Sequence, residues 1–148
     1  MKTASFNLLL ADDDADDCMF FEEALEELPV SSTLKTVNDG ERLMELLTAK
    51  PEPFPDILFL DLNMPRKTGV ECLTEIKRNE KLKSLPVIIY STSLDPEIVN
   101  MLFEKGAHHY IRKPGEFTKL KKVILEALTI TDHTNLPKPD IENFVIKV

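Results

Sequence analysis

The stretch DILFLD, residues 56–61, decides the fold class of this protein. Four consecutive apolar residues stand between two aspartates, so a strand formed here has no polar face to turn toward water. The runs FNLLLA at 6–11 and PVIIY at 86–90 are nearly as apolar. Strands of this kind are typical of a parallel sheet that helices cover on both faces. The sequence therefore predicts an α/β fold.

Helical patterns alternate with the strands along most of the chain. The predicted strands lie at 6–11, 33–37, 56–60, 86–90 and 108–112, and the helices at about 15–28, 43–47, 70–76, 95–106 and 117–128. The alternation predicts one domain over residues 1–130, a length that buries a full hydrophobic core. Residues 131–148 form a C-terminal extension, in which Phe144, Ile146 and Val148 alternate with Val145 and Lys147 as in a short strand.

The composition excludes several classes of function. The chain has 18 basic and 26 acidic residues, a net charge of −8, whereas nucleic-acid binders usually carry a basic patch. Cys18 and Cys72 are too few for a disulfide framework. No apolar run is long enough for a signal peptide or a membrane span. We therefore expect a cytoplasmic protein that binds neither nucleic acid nor membrane.

Polar residues follow the carboxyl ends of four predicted strands. In chain order they are Asp12, Asp13 and Asp14, then Asp61, then Ser91, Thr92 and Ser93, and finally Lys113. In an open parallel sheet these ends meet at one edge, where ligands bind. Oxygen ligands suit a hard cation such as Mg²⁺, and a lysine offsets the remaining negative charge. A carboxylate held in this way can act as a nucleophile toward phosphorus and form an aspartyl-phosphate.

Each of these residues alone has a less specific interpretation. Lys113 alone indicates a solvated charge, Ser91 alone a loop hydroxyl, and Tyr110 alone a half-buried core aromatic. Asp14, Asp16 and Asp17 have a simpler interpretation as the cap and first turn of the helix after the first strand. The helix dipole favours negative charge there. Four strand ends with a compatible set of side chains are much more specific than any one of them.

Four motifs occur in order and at suitable spacings. They are LLLADDD at 8–14, DILFLDLNMPRKTG at 56–69, LPVIIYSTS at 85–93 and GAHHYIRKP at 106–114. Over about residues 5–128 the chain resembles the receiver domain of two-component response regulators. The resemblance implies a flavodoxin-like, doubly wound, five-stranded parallel sheet of order 2-1-3-4-5, with helices on both faces. The DDDADD run and the C-terminal extension also resemble those of stand-alone receivers, including some paired with bacterial phytochromes.

The resemblance implies a role for each of the matching residues. Asp61 corresponds to the phosphate-accepting aspartate. Asp12 and Asp13 correspond to the acidic pair that holds Mg²⁺ together with Asp61. Asn63 corresponds to the position whose backbone carbonyl completes the metal site.

Further roles concern the other side of the site. Ser91 corresponds to the switch hydroxyl, although the sequence leaves open whether Thr92 shares that role. Lys113 corresponds to the lysine that bridges to the phosphoryl group, and the bond to Pro114 is expected to be cis. Tyr110 corresponds to an aromatic switch position.

The expected function is that of a single-domain response regulator. A sensor histidine kinase or a histidine phosphotransfer protein would phosphorylate Asp61 with Mg²⁺ bound, and the change would switch a protein-interaction surface on the fourth helix, fifth strand and fifth helix. The reader of that surface is an unknown downstream protein or a second copy of the chain. The stripe formed by Phe144, Ile146 and Val148 makes a homodimer plausible, and a strand folded back on its own domain equally so.

Two alternatives belong to other classes of protein. One is a receiver-like scaffold that never takes phosphate. The other is an enzyme, a Mg²⁺-dependent phosphatase with an aspartate nucleophile. The second aspartate of the DxD pattern in such phosphatases is the general acid, and Asn63 cannot replace it. We therefore expect a phosphoacceptor rather than an enzyme.

Overall fold

The computed structural model describes residues 5–49, 54–131 and 139–147. Its strands are β1 Ser5–Ala11, β2 Ser31–Val37, β3 Ile57–Leu60, β4 Val87–Ser91 and β5 His109–Arg112. Its helices are α1 Ala15–Glu26, α2 Gly40–Thr48, α3 Gly69–Arg78, α4 Pro96–Glu104, α5 Phe117–Thr131 and α6 Ile141–Phe144. The predicted alternation of strands and helices is confirmed, with differences of a few residues at the ends of the elements.

The five strands form one parallel sheet in the order β2-β1-β3-β4-β5, as the resemblance implied. Every residue of β3 and β4 is buried, whereas β2 at the edge is half exposed. Ala11 pairs with Leu60 across β1 and β3, and the Asp61 N–H donates to the Ala11 carbonyl at 2.9 Å. The central strands therefore end in register, which brings the residues that follow them together.

Helices cover both faces of the sheet with separate cores, which confirms the doubly wound architecture. Alternate strand residues point to opposite sides, so Leu58 and Leu60 join one core while Ile57 and Phe59 join the other. The first core packs against α2, α3 and α4, and the second against α1 and α5. No helix among the described residues is long and apolar enough to cross a membrane.

Helix α5 is longer than the sequence pattern predicts. The predicted helix ends at residue 128, whereas α5 continues to Thr131 and so crosses the predicted domain boundary at residue 130. The Thr131 hydroxyl donates to the Ala127 carbonyl at 2.7 Å. Leu128 is buried, and of the three residues that follow only Ile130 packs against the core, so periodicity alone does not reveal the last turn.

The described part of the C-terminal extension, residues 139–147, packs against the edge of the sheet, and we call it the C-terminal segment. The predicted strand is not formed there, because Ile141–Phe144 is one helical turn. The Asp140 side chain caps this turn by accepting from the Asn143 N–H. After the turn, Val145 makes a single parallel bridge to β5 at Tyr110.

Two apolar side chains of the C-terminal segment, Phe144 and Ile146, are buried in its own chain, whereas Ile141 is exposed. Phe144 joins the core on the α4 side of the sheet and Ile146 joins the core on the α5 side. The Phe144 ring contacts Phe103 and Tyr110, with ring centroids 5.3 and 6.4 Å apart. Of the two expectations for the stripe, the structure shows the segment folded back, and Val148 lies outside the described residues.

Candidate functional site

Three carboxylates lie together at the carboxyl ends of β1 and β3. Asp12 follows β1, Asp61 follows β3, and both are buried, whereas Asp13 is exposed. Asp12, Asp13 and Asp61 each offer an oxygen, and these oxygens all lie within 4.8 Å of one another. The register of the two strands produces this cluster, because Asp12 and Asp61 directly follow the paired residues Ala11 and Leu60.

Lys113, which follows β5, reaches into the same cluster. Its Nζ lies 2.8 Å from Asp12 Oδ2 and 3.6 Å from Asp61 Oδ2. A third carboxylate oxygen, Asp17 Oδ2 on α1, lies 2.8 Å away. The lysine side chain is only 9% exposed, so it is a buried counter-charge rather than a solvated one. The sequence did not single out Asp17, which was interpreted as a charge in the first turn of a helix.

Burial and crowding alter the acid–base behaviour of the cluster. Burial, together with repulsion from Asp12, raises the pKa of Asp61 to about 6, although Lys113 opposes the shift. Burial also raises the pKa of Asp12. Burial alone lowers the pKa of Lys113, but its contacts with Asp12 and Asp17 outweigh burial and raise it. The lysine is therefore a cation, and Asp61 is mostly ionised at neutral pH.

Ser91 and Thr92, the two candidate hydroxyl residues at the end of β4, differ in burial. Ser91 ends β4 and is buried, whereas Thr92 is exposed. Ser91 Oγ lies 3.3 Å from Ser93 Oγ and accepts from the Ser93 N–H at 3.3 Å. The Tyr110 hydroxyl donates to the Ser93 carbonyl at 2.6 Å. Tyr110 is fully buried rather than half-buried, and Ser93, the last residue of the motif at 85–93, joins it to Ser91.

The loop after β3 holds the Asp61 carboxylate from its own backbone. The Leu62 N–H donates to Asp61 Oδ1 at 2.8 Å, and the Asn63 N–H also donates to this carboxylate. The Asn63 side chain is exposed, and a metal-binding role for its carbonyl stays a prediction. Gly69 begins α3 against this loop, and a Cβ there would lie 2.2 Å from the Asp61 carbonyl oxygen.

The expected cis bond before Pro114 is not formed. The described residues contain no cis peptide bond, so the Lys113–Pro114 bond is trans. The trans form of an X–Pro bond is favoured by about 0.5–1 kcal/mol. Lys113 reaches Asp12 with the trans bond in place, and its N–H donates to the Ser91 carbonyl at 2.8 Å.

The donor set fits a hard divalent cation. All the candidate ligands are oxygens, which Mg²⁺ and Mn²⁺ prefer. Asp12 Oδ2 is buried and contacts the lysine ammonium, but it makes no well-directed hydrogen bond within the described part of the chain. The exposed Asp13 leaves one side of the cluster open to water, which suits a cation that keeps part of its hydration shell.

A family model described as the response regulator receiver domain matches residues 8–125. The chain belongs to this family. It is 32% identical over 121 residues to the response regulator Rcp1 of Synechocystis sp. The matched residues cover 79% of this chain and 82% of Rcp1. The family assignment places the protein among the signalling modules of two-component systems, and it confirms the resemblance found in the sequence.

Solved structures of receiver domains have the same fold. The crystal structure of the phosphorylated cyanobacterial phytochrome response regulator RcpA matches with a TM-score of 0.79 and 30% identity, over 90% of this chain and 98% of RcpA. The Mn²⁺-bound form of Rcp1 matches with a TM-score of 0.75 and 28% identity, over 90% of this chain and 99% of that one. These matches confirm the flavodoxin-like receiver fold.

Proposed function

We propose that the protein is a single-domain response regulator that accepts a phosphoryl group on Asp61 and acts as a phosphoacceptor rather than as an enzyme. The donor is the phosphohistidine of a sensor histidine kinase or of a histidine phosphotransfer protein. The observation that supports this most directly is the position of Asp61, between the acidic cluster and Lys113 at the carboxyl edge of the sheet. The phosphorylated state of RcpA and the Mn²⁺-bound state of Rcp1 in their crystals agree with this proposal.

The transfer exchanges one bond to phosphorus for another. An Asp61 carboxylate oxygen attacks phosphorus, and the bond from phosphorus to the imidazole nitrogen breaks. The nitrogen keeps the electron pair and takes a proton. Lys113 donates hydrogen bonds to the phosphoryl oxygens. Mg²⁺, held by Asp12, Asp13, Asp61 and the Asn63 carbonyl, would neutralise the negative charge of the phosphoryl group.

The output surface lies on the far side of Ser91. Ser91 contacts Ser93, the Ser93 carbonyl accepts from Tyr110, and the Tyr110 ring packs against Phe144. A phosphoryl group on Asp61 would draw Ser91 and Lys113 toward it and bias the conformation of α4, β5 and α5. The C-terminal segment already covers the β5 edge of this surface. A downstream protein, or a second copy of the chain, then reads the altered surface in the cytoplasm.

The first test is intact mass after incubation with acetyl phosphate and Mg²⁺. We expect the wild type to gain one phosphoryl group, and Asp61→Asn to gain none. Asp56→Asn is a matched control, because Asp56 precedes the same strand at its opposite end. A chelator should abolish the gain. If no donor phosphorylates the wild type, including a phosphorylated histidine phosphotransfer protein, the proposal is wrong and a phosphate-independent scaffold is favoured.

A further inference from the structure

Lys113 has three carboxylate neighbours, and they differ in what else they must do. Asp12 and Asp61 both belong to the oxygen cluster that fits a divalent cation. Asp61 is also the proposed nucleophile. Asp17 lies outside that cluster, on the first turn of α1. It is therefore the one acidic contact of the lysine, among the described residues, that neither the cation nor the phosphoryl group would claim.

Asp17 also makes the best-directed contact with the lysine. The Lys113 ammonium donates a hydrogen bond to Asp17 Oδ2 at 2.8 Å. The contact with Asp12 is equally short, but it lacks hydrogen-bond geometry, and the contact with Asp61 is longer at 3.6 Å. An ammonium has three N–H groups. If one N–H group donates to Asp17, the other two can donate to Asp12 and to a phosphoryl oxygen.

Both ends of this bridge are held by backbone hydrogen bonds. The Asp14 side chain caps α1 and accepts from the Asp17 N–H at 3.1 Å. The Lys113 N–H donates to the Ser91 carbonyl at 2.8 Å. The lysine Nζ also lies 5.2 Å from the centroid of the Tyr90 ring, which packs in the core. The backbones of both residues are thus held, and the ammonium lies between the Asp17 carboxylate and the Tyr90 ring.

We propose that Asp17 is a positioning residue that anchors Lys113 for phosphoryl transfer. The inference rests on the proposed function and gives Asp17 a role that the resemblance does not assign to it. Asp17 keeps the ammonium beside Asp61 while the other carboxylates are engaged elsewhere. Without this anchor the lysine side chain samples other rotamers, and the phosphoryl oxygens lose a pre-oriented donor.

The test compares Asp17→Ala and Asp17→Asn with Asp16→Asn. Asp16 is exposed, lies in the same first turn and carries the same charge, but it makes no ion pair with Lys113. We expect the rate of phosphorylation by acetyl phosphate, in which the phosphorus–oxygen bond breaks and acetate leaves, to fall about tenfold in Asp17→Ala. Asp17→Asn should lie between that value and the wild type, and Asp16→Asn should match the wild type.

A double-mutant cycle shows whether Asp17 acts through the lysine. In a Lys113→Met background, Asp17→Asn should cause no further loss of rate. An equal loss in both backgrounds, or equal rates in Asp17→Ala and Asp16→Asn, would overturn the proposal. Asp17→Asn preserves the size of the side chain, so it keeps the test valid if Asp17→Ala fails to fold.

A second readout does not depend on phosphorylation. In the protein with chelator, the Lys113 ammonium should give a protected ¹H–¹⁵N resonance that Asp17→Asn weakens and Asp16→Asn preserves. If the wild type takes no phosphoryl group but this pattern holds, the proposed function fails and the anchor stands. If the resonance is the same in Asp17→Asn and the wild type, the anchor is wrong.

Discussion

The acidic cluster and the C-terminal segment each bury part of their side chains, but opposite kinds of interaction hold them. The cluster places Asp12 and Asp61 side by side around one lysine, and burial raises the pKa of both carboxyls. The C-terminal segment buries Phe144 against two aromatic rings and pairs its backbone with β5. The first region needs a counter-charge, which Lys113 supplies, whereas apolar packing holds the second.

The comparison has a simple physical basis. Removing a carboxylate from water costs free energy that a single lysine shared among three acids repays incompletely. Removing an aromatic ring from water is favourable by itself. A ligand therefore changes the free energy of the cluster strongly and that of the segment only indirectly.

The largest effect is expected at the C-terminal segment. Phe144→Ala should lower the free energy of unfolding by about 3–5 kcal/mol, because it removes a fully buried aromatic ring. Urea unfolding followed by circular dichroism measures the change.

Ile141→Ala is the control for that experiment, because Ile141 lies in the same helical turn but is exposed. It should change the stability by less than about 0.5 kcal/mol. Equal small effects of the two substitutions would show that the segment is not packed on β5 in solution, and the contrast between the two regions would fail.

The acidic cluster should respond in the opposite direction. With chelator at pH 7.5, Asp61→Asn should raise the free energy of unfolding by about 1–2 kcal/mol. The folded-state pKa of Asp61, about 6, lies above its ordinary value of 3.8. The contribution of this carboxyl to stability is therefore lost as the pH rises through about 6, and the amide variant lacks that contribution.

Unfolding curves at pH 7.5 and pH 5 measure the difference in stability between Asp61→Asn and the wild type. This difference should be smaller at pH 5, because the wild-type carboxyl is then largely protonated. A stability of Asp61→Asn below that of the wild type at pH 7.5 would show that the lysine compensates the buried acids fully.

The smallest effect concerns His109, which joins β5 to the C-terminal segment. Its Nδ1 donates to the Phe144 carbonyl at 3.1 Å, and burial lowers its pKa despite this bond and despite Glu126. At this histidine the unfolded chain then binds a proton more readily than the folded one, so the stability that neutral His109 contributes is full above about pH 6.5 and falls below it. His109→Gln should flatten this dependence by up to about 1 kcal/mol between pH 7.5 and pH 5.5. An unchanged slope in urea unfolding at the two pH values would exclude His109 as its source.

Much of the fold follows from local patterns. The apolar strands and the helices between them were predictable because the central strands are buried on both faces and the helices that cover them have apolar stripes. The C-terminal segment was not predictable, because Phe144, Ile146 and Val148 alternate as in a strand, whereas Asp140 caps a helical turn that ends at Phe144. A cap of this kind outweighs alternation over so short a stretch.

The residues of the site also divide into those that the sequence predicts and those that it does not. Asp12, Asp61 and Lys113 were predictable because each directly follows a strand, and parallel strands end at one edge. Asp17 was not, because its partner is 96 residues away and the contact depends on how α1 packs over the sheet. The sequence did offer one indication of this role. Asp17 is in the first turn of α1, and α1 begins at the same edge of the sheet as the acidic cluster.

Gly69 restricts which residues can stand at the start of α3. Its missing side chain lets the first turn of α3 lie against the backbone that carries Asp61, and its N–H donates to the Leu62 carbonyl at 2.9 Å. A library of all substitutions at this position should yield no variant that keeps both the helix and the nucleophile in place. A laboratory selection for new partners should therefore accept substitutions in the later turns of α3 and reject them at its first residue.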